Sequence, residues 1–318
     1  MAEKLIEVKN LKKYYKTKKG PLHAVDGINF HINKGETLGL VGESGCGKST
    51  VGRVLLRLVE HTGGEVLFNG ENILEFNKTK MREMRENMQI VFQDPFASLN
   101  PRMSVFETIA EPLQINKKAK NRAELYKMVQ SLMETVGLAS RLENVYPHEL
   151  DGGRRQRIGI ARALALKPKF IVQDEPVSAL DVSIQAQILN LMDNLQKELG
   201  LTYLFISHDL SVIKHVSNNV AVMYLGKIVE LSDYKSLFVQ PLHPYTKALL
   251  SAIPVPDVDQ PCERIILEGD VPSPINPPPG CRFYGRCFVR RDICKDNTPE
   301  LKQISEGRFC ACHLVDSA

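Results

Sequence analysis

The 318-residue sequence predicts an α/β fold: a mainly parallel sheet, with a small antiparallel β region before it, a helical insertion within it and a Pro- and Cys-rich module after it. Three observations predict this. Strand-sized apolar runs alternate with segments of helical spacing, as crossovers between parallel strands require. A glycine-rich loop stands between one such strand and one such helix. Past about Ser251, prolines and cysteines crowd a stretch that breaks regular structure.

In chain order, Leu5–Val8 and Ala24–Ile32 alternate and are rich in strand formers, with Gly20-Pro21 between them, so they form the antiparallel β region. The lysines from Lys12-Lys13 to Lys18-Lys19 read as a solvated hairpin, since no aromatic interleaving beyond Tyr14-Tyr15 supports base stacking. Thr37–Val41 is a buried-type strand, and Ser49–Leu58 continues as a helix with Val51, Val54, Leu55 and Leu58 on one face. Glu65–Phe68 followed by Asn69-Gly70 is a hairpin edge, because Asn-Gly suits a type I′ turn. From Arg102 to about Leu166 the pattern is mostly helical, with Leu125, Met128, Val129, Leu132, Met133 and Val136 on one stripe. Strands return at Phe170–Gln173, Thr202–Ile206 and Val220–Tyr224, separated by a helix over Ile184–Leu199 and a shorter one after His208. Pro254, Pro256, Pro261, Pro272, Pro274 and Pro277–Pro279 mark the loop-rich module. The expected domains are 1–250, with a helical subdomain at about 94–166, and 251–318.

Composition bounds the function. With 43% hydrophobic and 25% charged residues the chain is ordinary globular material, and its net charge of +4, with both signs mixed along the chain, demands no nucleic-acid partner. The longest apolar stretches fall short of the roughly 20 residues that cross a bilayer, so a membrane role must run through partners. The N-terminus lacks the apolar core and cleavage site of a secretory signal, and the expectation is a cytoplasmic location with reduced thiols. Of seven cysteines, five fall between Cys281 and Cys312, which in that compartment points to a metal or redox chemistry rather than disulfides.

Two segments carry chemistry. Gly42-Glu43-Ser44-Gly45-Cys46-Gly47-Lys48-Ser49-Thr50 is a complete G-x-x-x-x-G-K-S between a strand and a helix. Its backbone N–H groups curl around phosphate oxygens at a helix N-terminus, Lys48 reaches the β- and γ-phosphates, and the Ser49 hydroxyl suits Mg²⁺. Phe170–Pro176 is a buried strand ending in Asp174 and Glu175. Asp174 suits a Mg²⁺ contact and Glu175 a general base that polarises water. Such a pair also serves as a helix cap; standing after a phosphate loop, the catalytic reading takes precedence.

The chain resembles the ATP-binding subunits of the ABC transporter superfamily, whose core is a P-loop NTPase. Beyond the two segments above, Gln93 in Val91-Phe92-Gln93-Asp94-Pro95 matches the family's Q-loop. Ser178-Ala179-Leu180-Asp181 matches its D-loop, and His208 after Phe205-Ile206-Ser207 matches its switch histidine. Tyr15 sits where the family places an aromatic on adenine. The resemblance implies ATP and Mg²⁺, with Ser49, Gln93 and Asp174 toward the metal, and catalysis by Glu175 and His208. It also implies a second ATPase subunit, because the signature segment closes over ATP on the opposite chain. Here that segment is Leu150-Asp151-Gly152-Gly153-Arg154-Arg155-Gln156-Arg157, with Asp151 where the family has serine. An ionised Asp151 cannot donate a hydrogen bond to phosphate. Either it turns toward Arg154 or Arg155, or it stays close and weakens the partner's site.

Within that superfamily, Gln240–Leu249, Gln93–Met103 and Pro272–Pro278 resemble the oligopeptide and dipeptide importers, near the member of the ATPase pair designated F. The resemblance implies a non-identical D-type ATPase partner, two membrane-spanning permease subunits, an extracytoplasmic solute-binding protein indirectly, and a peripheral place on the cytoplasmic face of the membrane. Nickel and glycoside importers share this tail, and a soluble ABC ATPase is the alternative from another class. Relatives carry a cysteine set that implies a [4Fe–4S] cluster on Cys281, Cys287, Cys294 and Cys312, with Cys310 as an alternative ligand. Zinc, with His313 as a substitute ligand, is the competing metal. Cys46 and Cys262 read as structural, and His23, His31, His61, His148, His215 and His243 as surface or packing residues.

Overall fold

The computed structural model describes residues 3–253 and 264–315, so Pro254, Pro256, Pro261 and Cys262 lie outside the described residues. The chain divides into two compact units, one made of Met1–Glu75 with Phe205–Ala318 and the other of Phe76–Leu204.

The first unit opens on a long antiparallel hairpin, β1 (Lys4–Thr17) and β2 (Gly20–Asn33), closing with Thr17 opposite Gly20. Sequence alternation marked only the parts near Leu5–Val8 and Ala24–Ile32. Register shifts between Val8 and Leu11 and between Lys13 and Tyr14 break the two-residue period, and the lysine-rich tip has no apolar face to display. β3 (Thr37–Val41) is buried at every residue and leads through the glycine loop into α1 (Lys48–Leu55). That helix ends before the expected Leu58, because Arg57 takes a left-handed φ of 48° and the Leu58 amide returns to the Arg53 carbonyl. Leu58 is left 49% exposed, outside the apolar stripe. β4 (Gly63–Phe68) and β5 (Glu71–Asn72) flank Asn69 and Gly70 at φ 52° and 87°, the positive pair a type I′ turn needs. The antiparallel sheet runs β2-β1-β4-β5.

The second unit holds α2 (Lys78–Asn87), β6 (Met88–Val91), the single turn α3 (Pro95–Ser98), α4 (Val105–Ile115), α5 (Arg122–Thr135), α6 (Gly152–Leu164), β7 (Phe170–Asp174) and α7 (Val182–Leu199). β6 pairs parallel with β7. A reciprocal capping box of Ser104 and Glu107 starts α4. On α5 the stripe faces inward: Leu125, Val129 and Met133 are buried, while Met128 and Leu132 are half-buried at its edge.

β8 (Thr202–Ser207) brings the chain back to the first unit, which continues with α8 (Leu210–Val216), β9 (Asn219–Tyr224), β10 (Lys227–Asp233), α9 (Tyr234–Val239), α10 (Pro244–Ser251), α11 (Ile293–Asp296), β11 (Lys302–Ser305) and β12 (Arg308–Cys310). Within this unit the strand order is β11-β12-β10-β9-β3, with β3 and β9 parallel and the remaining neighbours antiparallel. Segment 272–276 lies along the hairpin: Leu22 bridges Ile275, the His23 amide donates to the Pro274 carbonyl, and the Asn276 side chain donates to the Lys19 carbonyl at 2.9 Å. Among the described residues no helix is long and apolar enough to cross a membrane.

Candidate functional site

In the first unit the phosphate loop is shaped by close approach. A Cβ on Gly42 would stand 2.1 Å from the Met223 carbonyl oxygen, and one on Gly47 would stand 2.0 Å from that of Ala24. Both take positive φ, 153° and 107°, so these positions demand glycine twice over. Gly47 caps α1 in a left-handed conformation with no side-chain hydrogen bond. The first N–H groups of α1 therefore have no capping side chain, and with the helix dipole they form a place for anions. Lys48 is buried, and its ammonium donates to the Gly42 carbonyl at 2.8 Å and the Glu43 carbonyl at 3.0 Å, closing the loop on itself. Cys46 is buried, its thiol pushed up by burial, and its carbonyl accepts from the Gly226 amide at 2.9 Å. That sulfur packs while its backbone works.

Tyr15 lies on β1 opposite Leu22, with the Lys13 ammonium 4.7 Å from its ring centroid. The neighbouring Tyr14 stacks on His23 at 4.1 Å and donates its hydroxyl to Asp26. His208 directly follows β8 and is exposed.

The second unit brings Gln93 and Glu175 together. β7 is buried along its length and delivers Asp174, 2% exposed. Glu175 then turns sharply at φ 50°, a conformation costly for a side chain of this kind. Its Oε2 accepts from Gln93 Nε2 at 2.9 Å. Asp94 caps α3 by accepting from the Phe96 amide at 2.8 Å. Asp151 occupies the N-cap of α6, accepts from the Arg154 amide at 2.8 Å and pairs with the Arg154 guanidinium at 3.4 Å. Of the two dispositions open to Asp151 in sequence, the side chain takes the one toward Arg154. Gly152 and Gly153 lie close under neighbouring side chains: a Cβ would stand 2.9 Å from Leu180 Cδ2 and 2.7 Å from Ile184 Cγ2, so those side chains would have to shift to admit one. Asp181 holds the N-cap position of α7 without a side-chain cap bond. Arg155 instead is buried, donates to the Pro147 and His148 carbonyls and stacks 3.4 Å over Phe96.

The cysteine-rich segment lies in the first unit. The Cys281 amide donates to the Cys294 carbonyl at 2.8 Å. Burial pushes the Cys281 thiol up to about 11, with smaller contributions from Cys294, Cys287 and Cys312. Burial also raises Cys287 and Cys312. Cys310 is buried on β12 opposite Glu230, and His313 Nε2 meets the Asn297 carbonyl at 2.9 Å. Among the described residues no three His, Cys, Asp or Glu side chains stand in metal-binding geometry.

Sequence reasoning missed three side chains around the loop. The Tyr245 hydroxyl accepts from the Glu43 amide at 2.9 Å, Arg286 grips the Glu43 carboxylate, and Arg282 pairs with Asp26. They lie more than 200 residues from their partners, and no local pattern announces such ties. His243, read as a packing residue, is buried and also caps α10, its Nδ1 accepting from the Tyr245 amide at 3.1 Å.

Residues 25–178 match the family described as "ABC transporter", and residues 229–294 match "Oligopeptide/dipeptide transporter, C-terminal region". The oligopeptide transport ATP-binding protein OppF of Bacillus subtilis is 60% identical over 313 residues, 98% of this chain and 97% of that protein. AppF, an oligopeptide transport ATP-binding protein of the same organism, is 52% identical over 98% of each chain. Among solved structures, the ATP-binding cassette MJ0796, dimeric and bound to ADP and Pi, is 28% identical with a TM-score of 0.66 over 72% of this chain and 98% of that one. CbiO1 of Clostridium perfringens, part of the ABC transporter complex cbiONQ, is 28% identical with a TM-score of 0.67 over 75% of this chain and 92% of its own.

Proposed function

The chain is an ATPase of the ABC transporter family, in its oligopeptide transport ATP-binding group, and we propose that it powers the import of di- and oligopeptides as one of two ATPase subunits on the cytoplasmic face of the membrane. The observation that carries this reading is the closed glycine loop, with buried Lys48 held on its carbonyls and α1 starting without a capping side chain. The peptide cargo rests on the relatives' names and on the matching C-terminal region.

In this mechanism the backbone N–H groups of Gly42 to Thr50 receive the phosphates, and Tyr15 receives the adenine. Lys48 leaves the Gly42 and Glu43 carbonyls for the β- and γ-phosphate oxygens, exchanging two neutral acceptors for charged ones. Ser49, Gln93 and Asp174 are the residues to hold Mg²⁺, which supplies neutralising charge. Glu175, freed from Gln93, takes the proton of the attacking water, and His208 meets the γ-phosphate side. Asp151, Gly152 and Gly153 present the start of α6 to the nucleotide of the partner ATPase, with Asp181 beside that contact. The partner is a non-identical D-type chain, and both bind two permease subunits that receive solute from a binding protein.

Glu175→Gln keeps the side chain's shape but removes the base, so turnover of the assembled transporter should fall by about 10²–10⁴-fold with ATP affinity retained. Lys48→Ala should weaken ATP binding itself. Near-parental turnover of Glu175→Gln ends the assignment of the base.

A second reading concerns Cys281, Cys287, Cys294 and Cys312, four thiols of one cysteine-rich segment in which the Cys281 amide donates to the Cys294 carbonyl at 2.8 Å. Four soft donors suit a [4Fe–4S] cluster or, with His313 in reserve, zinc. Burial keeps the Cys281 thiol protonated near neutral pH, so loading must release protons and draw the side chains together.

A further inference from the structure

The phosphate loop carries a carboxylate of its own. Glu43 stands in the segment that receives a polyanion, where an unpaired negative charge would oppose the ligand. It is not unpaired. Arg286 Nη1 meets Glu43 Oε2 at 2.7 Å and Arg286 Nη2 meets Glu43 Oε1 at 3.1 Å, the forked geometry that makes arginine–carboxylate pairs strong. The two side chains are only 10% and 26% exposed, so water screens the pair weakly.

Glu43 is held at every polar group. Its amide donates to the hydroxyl of Tyr245, which is fully buried against Tyr224 and Phe283 at ring separations of 4.7 and 5.4 Å. Its carbonyl accepts from Lys48 at 3.0 Å. The residue that helps place the loop lysine is thus itself placed by α10 and by the cysteine-rich segment, where Arg286 immediately precedes Cys287. Five residues earlier Cys281 precedes Arg282, which ties the same segment to Asp26 on the hairpin and to the Leu225 carbonyl.

We propose that Arg286 is a positioning residue of the phosphate loop: it neutralises Glu43 and holds it aside, so that the C-terminal cysteine-rich segment sets the affinity of the loop for nucleotide phosphates. The proposal rests on the reading of Gly42–Thr50 as the ATP site. Arg286 acts through Glu43, and removing it should do harm only while the Glu43 charge remains.

That dependence gives the test. Calorimetric titration of the full chain with adenosine, ADP and ATP compares the parent with Arg286→Ala, Glu43→Gln and the double variant. Arg286→Ala should weaken ATP by about tenfold, which is about 1.4 kcal/mol, weaken ADP less and leave adenosine unchanged. The double variant should recover most of the loss. A purely structural tie would lower all three ligands alike and would not be rescued by Glu43→Gln. Parental ATP affinity in Arg286→Ala, or a double variant as weak as Arg286→Ala, overturns the proposal. Lys48→Ala runs beside them: if it too binds ATP normally, the ATP-site reading has failed instead. Should Arg286→Ala melt early, Arg286→Gln, of similar reach and without charge, takes its place and the same ordering decides.

Discussion

Replacing Asp151 by alanine removes two interactions at the start of α6. The first is the bond accepted from the Arg154 amide at 2.8 Å, an N-cap whose loss costs about 1 kcal/mol. The second is the 3.4 Å pair with the Arg154 guanidinium; the two side chains are 59% and 50% exposed, so solvent leaves it a few tenths of a kcal/mol at most. Asp151→Ala should therefore destabilise by about 1–1.5 kcal/mol, a fall in melting temperature of about 2–5 °C. Serine caps as well as aspartate, so Asp151→Ser should lose only the weak pair. Denaturant titration and calorimetry of the three proteins measure this ordering. Because the carboxylate is turned onto the Arg154 amide at the N-cap and is widely exposed to water, its charge toward a partner's nucleotide is screened, and Asp151→Ser should change ATPase turnover by less than about threefold. Equal destabilisation by serine and alanine would refute the capping argument. A tenfold acceleration by Asp151→Ser would refute that screening.

His208→Ala should cut turnover in the assembled transporter while leaving the melting curve intact, because His208 is exposed and supports no core; parental turnover removes it from the mechanism. Burial drives His243 down to about 3, whereas the unfolded imidazole titrates near 6.5. The unfolded chain then binds the extra proton between those values. The stability that neutral His243 contributes is full above about pH 6.5 and is lost as pH falls toward 3, by up to about 1.4 kcal/mol per pH unit. His243→Asn keeps a capping acceptor and should flatten that acid limb, and identical slopes in the two proteins dismiss the linkage. Anaerobic preparation should give stoichiometric iron and sulfide that disappear in Cys287→Ser but persist in Cys310→Ser. Stoichiometric zinc in a colourless protein shifts the metal but keeps the ligands, and metal-free protein of unchanged melting temperature rejects both.

What was legible in the sequence was whatever a short window contains. β3, β7 and β9 are buried almost throughout and read as short, mainly apolar runs, and the Asn69-Gly70 turn reads from two residues because only a positive φ pair closes it. The phosphate loop is legible because its residues keep a fixed local spacing, although the carbonyls that leave no space for a Cβ on Gly42 and Gly47, those of Met223 and Ala24, come from outside that window. β6 was missed because Met88 and Gln89 do not alternate cleanly and only pairing with β7 makes them a strand. β1 was cut short because its bulges shift the inward face partway along.

The site divides along the same line. Lys48, Asp174 and Glu175 are defined by neighbours in sequence. The disposition of Asp151 follows from its position at the N-cap of α6, where a carboxylate has a backbone N–H waiting three residues on. Arg286 and Tyr245 have no such local cause. Their partner, Glu43, is an ordinary loop residue until the fold brings a guanidinium and a buried phenol to it from more than 200 positions away. A sequence motif names the atoms that touch a ligand because those atoms must keep fixed spacing. The groups that set the charge and stiffness of the motif need only arrive at the right place, from anywhere in the chain, and for that reason they are found in three dimensions.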